Sequence, residues 1–182
     1  KEVPSIIDTI FNSNLKTVLK QFLGDKYFVV KSIYFDKPQT SNWYVSYHQD
    51  LTISVDKKID LNGFEFWTKK HNLFAVQPPI DILKTVLTVR IHLDDTDENN
   101  GALKVIPKSH LKEIYRPETI DWTVESEVSC NVSKGGIMLM KPLLLHSSGR
   151  TINNRQRRVI HLEFSNQELP IELNWAERIN LN

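Results

Sequence analysis

The segment "NWYVSYHQDLTISV" places two metal-binding residue types, His48 and Asp50, two positions apart in a run that otherwise has the composition of a β-strand. In a strand, residues i and i+2 point to the same face, about 7 Å apart. Both side chains could therefore reach one ion. A third ligand would complete a set of two histidines and one carboxylate, which leaves one face of an octahedral Fe(II) open to other ligands. Because a His-x-Asp tripeptide is common, a hydrogen-bonded surface histidine is the alternative.

Several other histidines are available as the third ligand: His71, His92, His110, His146 and His161. We choose His146 because it follows "GGIMLMKPLLL", a glycine-led apolar segment that predicts a strand, and begins the predicted turn "HSSGR". His110 and His161 are expected to be structural histidines that bond to backbone or water. His71, in "TKKHN", is expected on a solvated loop.

Arg157 follows His146 by eleven residues and begins another β-rich segment. A guanidinium at the start of that strand could form a bidentate pair with a carboxylate in a partly dry pocket, which lysine would do less well. Ser148 could add a hydroxyl donor to the same carboxylate. The alternative for Arg157 is a place on a basic surface, because other arginines lie close by, at Arg150, Arg155 and Arg158.

Length and charge limit the class of protein. The chain has 182 residues with 23 basic and 22 acidic side chains and no block of like charge, so we predict one domain over 1–182 and no nucleic-acid surface. Cys130 is the only cysteine, which excludes an intrachain disulfide and favours the cytoplasm. No apolar run approaches the length of a membrane span.

The pattern along the chain predicts a mainly β fold with flanking helices. Helical spacing of apolar residues indicates two short helices within about 4–23, and a further helix is expected in or near "SHLKEIYRPETIDW". Short segments rich in β-branched and aromatic residues predict strands at 26–35, 43–55, 86–93, 102–107, 136–140 and 157–164. Many short strands behind a helical start favour a β-sandwich or barrel with helices on one outer face.

Two strands show which residues share a face. In "VLTVRIHL" the set Leu87, Val89, Ile91 and Leu93 alternates with Thr88, Arg90 and His92. In "RRVIHLEF" the set Arg158, Ile160, Leu162 and Phe164 alternates with Arg157, Val159, His161 and Glu163. If the apolar sets pack under the helices, the polar sets face the interior, where charges are costly unless they are paired or used. The interior should then hold a ligand cavity.

Together, His48-x-Asp50, His146 and Arg157 resemble the phytanoyl-CoA dioxygenase (PhyH) family of Fe(II)/2-oxoglutarate oxygenases, in which the second histidine and the arginine have this spacing. The resemblance runs from about Phe35 to Phe164. It includes "LDDTDENNGALKVIPKSH", where Lys108 stands in place of the family's usual glycine.

The resemblance implies a double-stranded β-helix (a jelly-roll, cupin-like barrel) and hydroxylation that uses Fe(II), 2-oxoglutarate and O2 and releases succinate and CO2. His48, Asp50 and His146 would bind the iron, and Arg157 and Ser148 the distal carboxylate of 2-oxoglutarate. Related halogenases lack the carboxylate ligand, so Asp50 favours hydroxylation. Other positions match cosubstrate residues of relatives: Gln49, Trp67 and Gln77. Trp67 could equally be a core aromatic and Gln77 a hydrogen-bonded loop residue.

The substrate side of the site is expected to involve Tyr44, Tyr47, Arg90 and His92. Arg90 would bind an anion, namely a substrate carboxylate, a phosphate or 2-oxoglutarate itself, or it would pair with Asp94, Asp95 or Glu163. The substrate is predicted to be a small molecule that the sequence does not identify, and the oligomeric state is open. The competing hypothesis is a catalytically inactive or cupin-like β-helix protein that binds a metal or a small ligand.

Overall fold

The computed structural model describes residues 4–38, 43–70 and 73–181, with the side chains of residues 4–6 and 70 left out. Three α-helices are described: α1 (Pro4–Ile10), α2 (Ser13–Leu23) and α3 (Ile80–Thr85). The strands are β1 (Phe28–Lys37), β2 (Val45–His48), β3 (Ile53–Val55), β4 (Glu65–Lys70), β5 (Leu73–Gln77), β6 (Leu87–His92), β7 (Leu103–Val105), β8 (Val128–Cys130), β9 (Ile137–Met140), β10 (His146–Ser148), β11 (Arg157–Ser165) and β12 (Ile179–Asn180). His71 lies outside the described residues.

The strands form three antiparallel sheets. The largest has the order β12-β1-β11-β6-β9, the second β2-β10-β7-β8, and the third β3-β5-β4. None of the three closes into a complete barrel among the described residues. A mainly β fold with flanking helices is therefore confirmed, with open sheets where a barrel was predicted.

Local signals fix the N-terminal helices as predicted. The Asn12 side chain accepts a hydrogen bond from the backbone N–H of Leu15 at 3.1 Å, which caps the start of α2. Gly24 ends the helix at φ 79°, in the left-handed region that favours glycine, and its N–H bonds to Lys20 O. Leu15, Leu19 and Leu23 then share the buried side of α2.

That side of α2 packs on the outer face of the largest sheet. Leu87 and Val89 of β6 and Leu162 and Phe164 of β11 are buried there. Phe164 makes an edge-to-face contact with Phe11, their ring centroids 6.2 Å apart. The predicted alternation of the two strands is confirmed, because their polar sets point to the other face of the sheet.

A second apolar cluster joins β1 to the third sheet, α3 and the C-terminal segment. Its most buried members include Val30, Ile53, Val55, Val76 and Leu143. The cluster fixes β3 directly after the segment that contains Asp50.

Several elements differ from the prediction, and five strands, β4, β5, β8, β10 and β12, were not predicted. The strand expected over 43–55 is broken into β2 and β3, because the N–H of Asp50 bonds to Pro142 O and leaves the ladder with β10. Helix α3 was not predicted. The helix expected near 109–122 is two short 3-10 turns, Ser109–Lys112 and Pro117–Thr119. Lys108 and Glu113, at φ 64° and 58°, flank the first turn in backbone conformations that no helix contains.

Lys108, which stands where the family pattern has glycine, has a left-handed backbone. Residues with a side chain adopt this region at a cost, and glycine adopts it freely. Lys108 occupies the position at which the PhyH pattern has glycine, so the backbone has kept the conformation that glycine favours.

Among the described helices, none is both long and apolar enough to cross a membrane.

Candidate metal centre and adjoining cavity

Two neighbouring strands of the second sheet position the metal-ligand candidates. His48 ends β2 and lies directly opposite His146, which begins β10, in the antiparallel register. Asp50 follows two residues after His48. The closest donor atoms are His48 Nε2 and Asp50 Oδ1 at 3.7 Å, and His146 Nε2 and Asp50 Oδ2 at 3.9 Å. One ligand atom from each residue lies within 4.8 Å of the other two.

Backbone hydrogen bonds orient both imidazoles. His48 Nδ1 lies 2.9 Å from Ser46 O, and His146 Nδ1 lies 2.8 Å from Leu144 O. Because a carbonyl oxygen only accepts, both Nδ1 atoms must carry the proton, which leaves the Nε2 lone pairs free to bind a metal. Burial lowers the pKa of His146, which favours the neutral ring that a metal requires.

The donor set fits Fe(II). Two imidazole nitrogens and one carboxylate oxygen form the facial arrangement of non-haem iron oxygenases, which keeps ligand positions open. Two ligands at right angles, each about 2.1 Å from a metal, are about 3 Å apart. Side-chain adjustments of about 1 Å would bring the described atoms to that spacing.

A cavity adjoins these three residues. It is lined by the metal-ligand candidates and by Phe35, Trp43, Val45, Arg90, Leu103, Ser147, Ser148, Arg157 and His161. The metal-ligand candidates come from the second sheet and its connecting segment, whereas Arg90 and Arg157 lie on β6 and β11 of the largest sheet. The site is therefore built between two sheets.

Arg157 is buried in this cavity, with 4% of its surface exposed. Among the described residues its Nε has no hydrogen-bond partner, and burial lowers the pKa of the guanidinium. Arg158, on the opposite face of β11, instead makes a bidentate pair with Asp94 at 2.7 and 2.9 Å. The guanidinium of Arg157 is thus free to bind an anion.

Arg90 lies beside it, 5% exposed, with one guanidinium nitrogen 3.0 Å from His161 Nδ1. The alternative of an ion pair with an acidic residue is wrong. Asp94 binds Arg158, Asp95 accepts from the backbone N–H of Lys134, and Glu163 binds Lys31. Burial, and then the nearby Arg157, lower the pKa of Arg90 to about 10.

Ser148 lines the cavity, and its hydroxyl donates to Gly101 O at 3.0 Å.

His161 bonds to the side chains of Arg90 and Glu163 where backbone or water was expected. His92 is buried outside the lining, with Nδ1 bonded to Thr96 at 2.8 Å. Burial, Arg90 and Arg157 lower its pKa to about 4. His110 is partly buried beside a separate cleft.

The structure does not bring three of the predicted cosubstrate residues to the cavity. Gln49 turns away from the metal ligands and bonds to backbone atoms of Glu113, Leu143 and Tyr115. Trp67 donates to Phe64 O and packs on the apolar cluster, which is the core role considered for it. Gln77 ends β5 in the third sheet.

The two predicted substrate tyrosines also lie outside the cavity lining. Tyr44 is 58% exposed. The ring of Tyr47 contacts that of Trp122 in a tilted arrangement, with centroids 6.0 Å apart, and its hydroxyl donates a hydrogen bond to Glu127. A register shift between His146 and Ser148 places Val45 opposite Ser148, so Val45 and His48 both line the cavity. The side chains of β2 therefore do not follow a simple alternation at this shift.

Several residues near the site were not predicted from the sequence, and Val45, Leu103 and Ser147 of the cavity lining are among them. Phe35 and Trp43 line the cavity, and Lys37 is fully buried with its ammonium bonded to Trp43 O and Gly149 O. Phe35 and Lys37 are two apart near the end of β1. The sequence signal that could have identified them is the polar Lys37, two positions after the apolar Phe35 and so on the same face near the end of a strand.

The chain belongs to the phytanoyl-CoA dioxygenase (PhyH) family, whose model matches residues 4–159. Fe(II), 2-oxoglutarate and O2 are the cofactors of PhyH-type oxygenases, which confirms the cofactor set expected from the sequence, and the His-Asp-His group fits that set. A comparison with curated proteins finds no match.

Solved structures share the fold at low sequence identity. EctD from S. alaskensis, in its apo form, is 18% identical with a TM-score of 0.67, over 92% of this chain and 55% of that one. The epimerase SnoN from nogalamycin biosynthesis, in complex with Fe3+, alpha-ketoglutarate and nogalamycin RO, is 14% identical with a TM-score of 0.63, over 90% and 59%. The carbocyclase SnoK is 15% identical with a TM-score of 0.63, over 91% and 60%.

These similar structures confirm the jelly-roll class of fold, and two of them, SnoN and SnoK, are non-haem alpha-ketoglutarate-dependent enzymes. The chain spans between 32% and 65% of the length of the similar structures.

Proposed function

We propose that the protein is an Fe(II)/2-oxoglutarate-dependent dioxygenase that hydroxylates a small molecule and releases succinate and CO2. The observation that carries this proposal is the meeting of three metal-ligand candidates and an unpaired buried guanidinium in one cavity. A metal site alone would suit many cupin-like proteins. A buried cation beside it adds a binding place for the far carboxylate of a chelating dicarboxylate.

Each residue has a defined part in this proposal. His48, Asp50 and His146 would hold the iron, which supplies oxidative chemistry when 2-oxoglutarate and O2 are present. Arg157 would bind the distal carboxylate of 2-oxoglutarate and so fix its orientation. The hydroxyl of Ser148 donates its hydrogen bond to Gly101 O, so it can donate to a carboxylate only after the hydroxyl rotates.

The outcome proposed is hydroxylation. Asp50 occupies the position that a halide would need, which disfavours halogenation. The fold also occurs in an epimerase and a carbocyclase, so product analysis must decide between oxygen insertion and other oxidations. The partner proposed is a small molecule, because the cavity is enclosed by side chains of two sheets. A cytoplasmic location and one domain over 1–182 stay predictions.

Anaerobic titration tests the cosubstrate assignment. Fe(II) followed by 2-oxoglutarate should produce the visible metal-to-ligand charge-transfer band of a chelated 2-oxo acid. Arg157→Ala should weaken 2-oxoglutarate binding by about 10- to 100-fold, because a charge-assisted bidentate pair is lost, and leave Fe(II) affinity nearly unchanged.

Arg155→Ala is the matched control, since it removes an exposed guanidinium two residues away. Metal binding without the band would contradict the oxygenase proposal and favour the cupin-like alternative. Equal losses of metal and 2-oxoglutarate affinity in Arg157→Ala would contradict the role of Arg157. A succinate-release screen against a metabolite collection would then identify the substrate and show whether the chain is active.

A further inference from the structure

A buried chain of polar side chains runs from the protein surface to the cavity. Lys31 Nζ lies 2.9 Å from Glu163 Oε1, and the same carboxylate oxygen lies 3.2 Å from His161 Nε2. His161 Nδ1 lies 3.0 Å from Arg90 Nη1. Lys31 is 25% exposed, whereas the side chains of Glu163 and His161 are 5% exposed. The chain therefore ends inside the protein, at the guanidinium of Arg90.

The hydrogen bonds of this chain have one consistent direction. Arg90 has no acceptor atom, so it donates to His161 Nδ1, and His161 Nε2–H donates to Glu163. His161 is then a neutral ring that holds one edge of the guanidinium. The face of Arg90 also lies over the Phe35 ring, 5.3 Å from its centroid. Arg90 is thus oriented on two sides, while its Nε has no partner.

Within the described part of the chain, Arg90 makes no ion pair with a carboxylate. The charge of Glu163 is shared between Lys31 and His161, and the acidic residue that acts electrostatically on Arg90 is the metal-ligand candidate Asp50. Arg157, the other cation of the cavity, acts on Arg90 by repulsion. Two buried cations at one cavity are costly unless an anion joins them.

Formal charges show that one dicarboxylate does not neutralise the cavity. A divalent metal, Asp50, Arg90 and Arg157 carry a net charge of three positive. The 2-oxoglutarate dianion leaves one positive charge. The remaining charge lies in a buried place, where a further anionic contact is strongly favoured.

We propose that Arg90 is a second anion-binding residue of the cavity, which binds a carboxylate or phosphate group in addition to the carboxylate at Arg157. The proposal rests on the proposed function for the identity of the metal and cosubstrate. The anionic group has two possible sources: the metal-proximal end of 2-oxoglutarate, or an acidic group of the primary substrate. In the second case the substrate is an organic acid or a phosphate ester.

Calorimetric titration of the intact protein separates the two sources. One arm titrates 2-oxoglutarate into the Mn(II)-loaded protein, and the other titrates inorganic phosphate and acetate into protein saturated with Mn(II) and 2-oxoglutarate. The variant is Arg90→Gln, which keeps an amide donor near His161. Arg155→Gln is the charge-matched control, because it removes a guanidinium from an exposed site.

An affinity for 2-oxoglutarate about 10- to 100-fold lower in Arg90→Gln would assign Arg90 to the cosubstrate. Unchanged 2-oxoglutarate affinity, with loss of phosphate or acetate binding, would assign it to an acidic substrate. Either result supports the proposal. Affinities within twofold of the wild type in both arms would overturn it.

Two further measurements separate anion binding from a structural role. The thermal midpoint of Arg90→Gln without ligands should stay level or rise, because a buried charge without a carboxylate partner has been removed. In Arg90→Ala, added guanidinium ion should restore the lost anion binding. A clear fall in thermal midpoint with unchanged anion binding would overturn the proposal.

Failure of the proposed function would be seen separately. Phosphate binding to the metal-free wild type, lost in Arg90→Gln, would support the role of Arg90 even if 2-oxoglutarate did not bind at all. Binding of 2-oxoglutarate that depends on Arg157 and not on Arg90, with no phosphate or acetate binding in the wild type, would leave the proposed function intact and overturn the role of Arg90.

Discussion

At the scale of single residues, Lys37 is a buried cation beside the site with no carboxylate partner. Its side chain is fully buried, and its ammonium donates to Trp43 O at 3.0 Å and Gly149 O at 2.6 Å. Burial, and then the charge of Arg157, lower the pKa of Lys37 from 10.5 to about 8. The native state therefore releases this proton more readily than the unfolded chain does.

This pKa predicts how stability depends on pH. Between about pH 8 and pH 10.5 the unfolded chain binds more protons at this position than the native state, so the free energy of unfolding should rise with pH. Lys37→Met should remove that rise, and it should lower the stability above about pH 8, where the native lysine is neutral and the mutation loses two hydrogen bonds without removing a buried charge. Urea unfolding at several pH values measures both effects, with Lys26→Met as the exposed control. An unchanged pH slope in Lys37→Met would contradict the assignment.

Residues whose proposed chemistry depends on spacing along the chain could be selected from the sequence. His48 and Asp50 are two positions apart and Arg157 follows His146 by eleven, so each could be proposed without knowing the fold, and all four line one cavity. The partners of Arg90 could not be proposed from spacing along the chain, because they follow from the cross-strand register, in which Arg90 lies opposite His161.

At the scale of elements, Gly101 is the point where three segments meet. It precedes β7, with φ 86°. A Cβ atom there would lie 2.9 Å from Gly149 O, which follows β10, and 3.0 Å from Lys37 Nζ at the end of β1. It would lie 3.4 Å from Ser148 Oγ. The position thus requires glycine for both backbone conformation and space.

Gly101→Ala should therefore be more destabilising than backbone strain alone explains. Gly135 provides the matched control, because it has φ 80° and no atom within 4 Å of an added Cβ. Gly135→Ala should cost about 1–2 kcal/mol for the left-handed backbone. Gly101→Ala should cost a further 1–3 kcal/mol, roughly, for overpacking. Chemical denaturation gives both values, and equal costs would show that Lys37 and Gly149 move aside freely.

Elements were predictable where the period of the pattern was regular. β6 and β11 alternate cleanly, so their faces were assigned before the structure. β4 was not found because its pattern is interrupted: Phe66 has φ 53° and is 65% exposed, and the register with β5 shifts between Glu65 and Thr68. The two 3-10 turns were also missed as such, since the reversal at Lys108 depends on backbone strain that composition does not reveal.

At the scale of the whole molecule, the site joins two sheets. The metal-ligand candidates lie on and beside β2 and β10 of the second sheet, and the two buried arginines on β6 and β11 of the largest sheet. The outer apolar cluster packs α2 on the largest sheet, and the other cluster joins β1 of that sheet to β3, which follows Asp50. Ligands bound in the cavity would therefore link the two sheets.

Metal binding should therefore stabilise the entire described structure. A ligand that binds only the native state at 100 times its dissociation constant adds about 2.7 kcal/mol, which for a chain of this size raises the thermal midpoint by about 5–10 °C. Ni(II) is a suitable probe because it binds imidazole and carboxylate without redox chemistry in air. Circular dichroism melting with Ni(II) and with a chelator measures the gain.

Asp50→Ala should lose most of this gain, whereas Asp60→Ala, which removes an exposed carboxylate, should retain it. The gain from 2-oxoglutarate should be larger with Ni(II) present than without it, because metal and guanidinium contacts then act on one molecule held between the sheets. In Arg157→Ala the metal gain should persist and the additional gain should fall. A metal gain of equal size in wild type and Asp50→Ala would place the bound ion elsewhere in the chain.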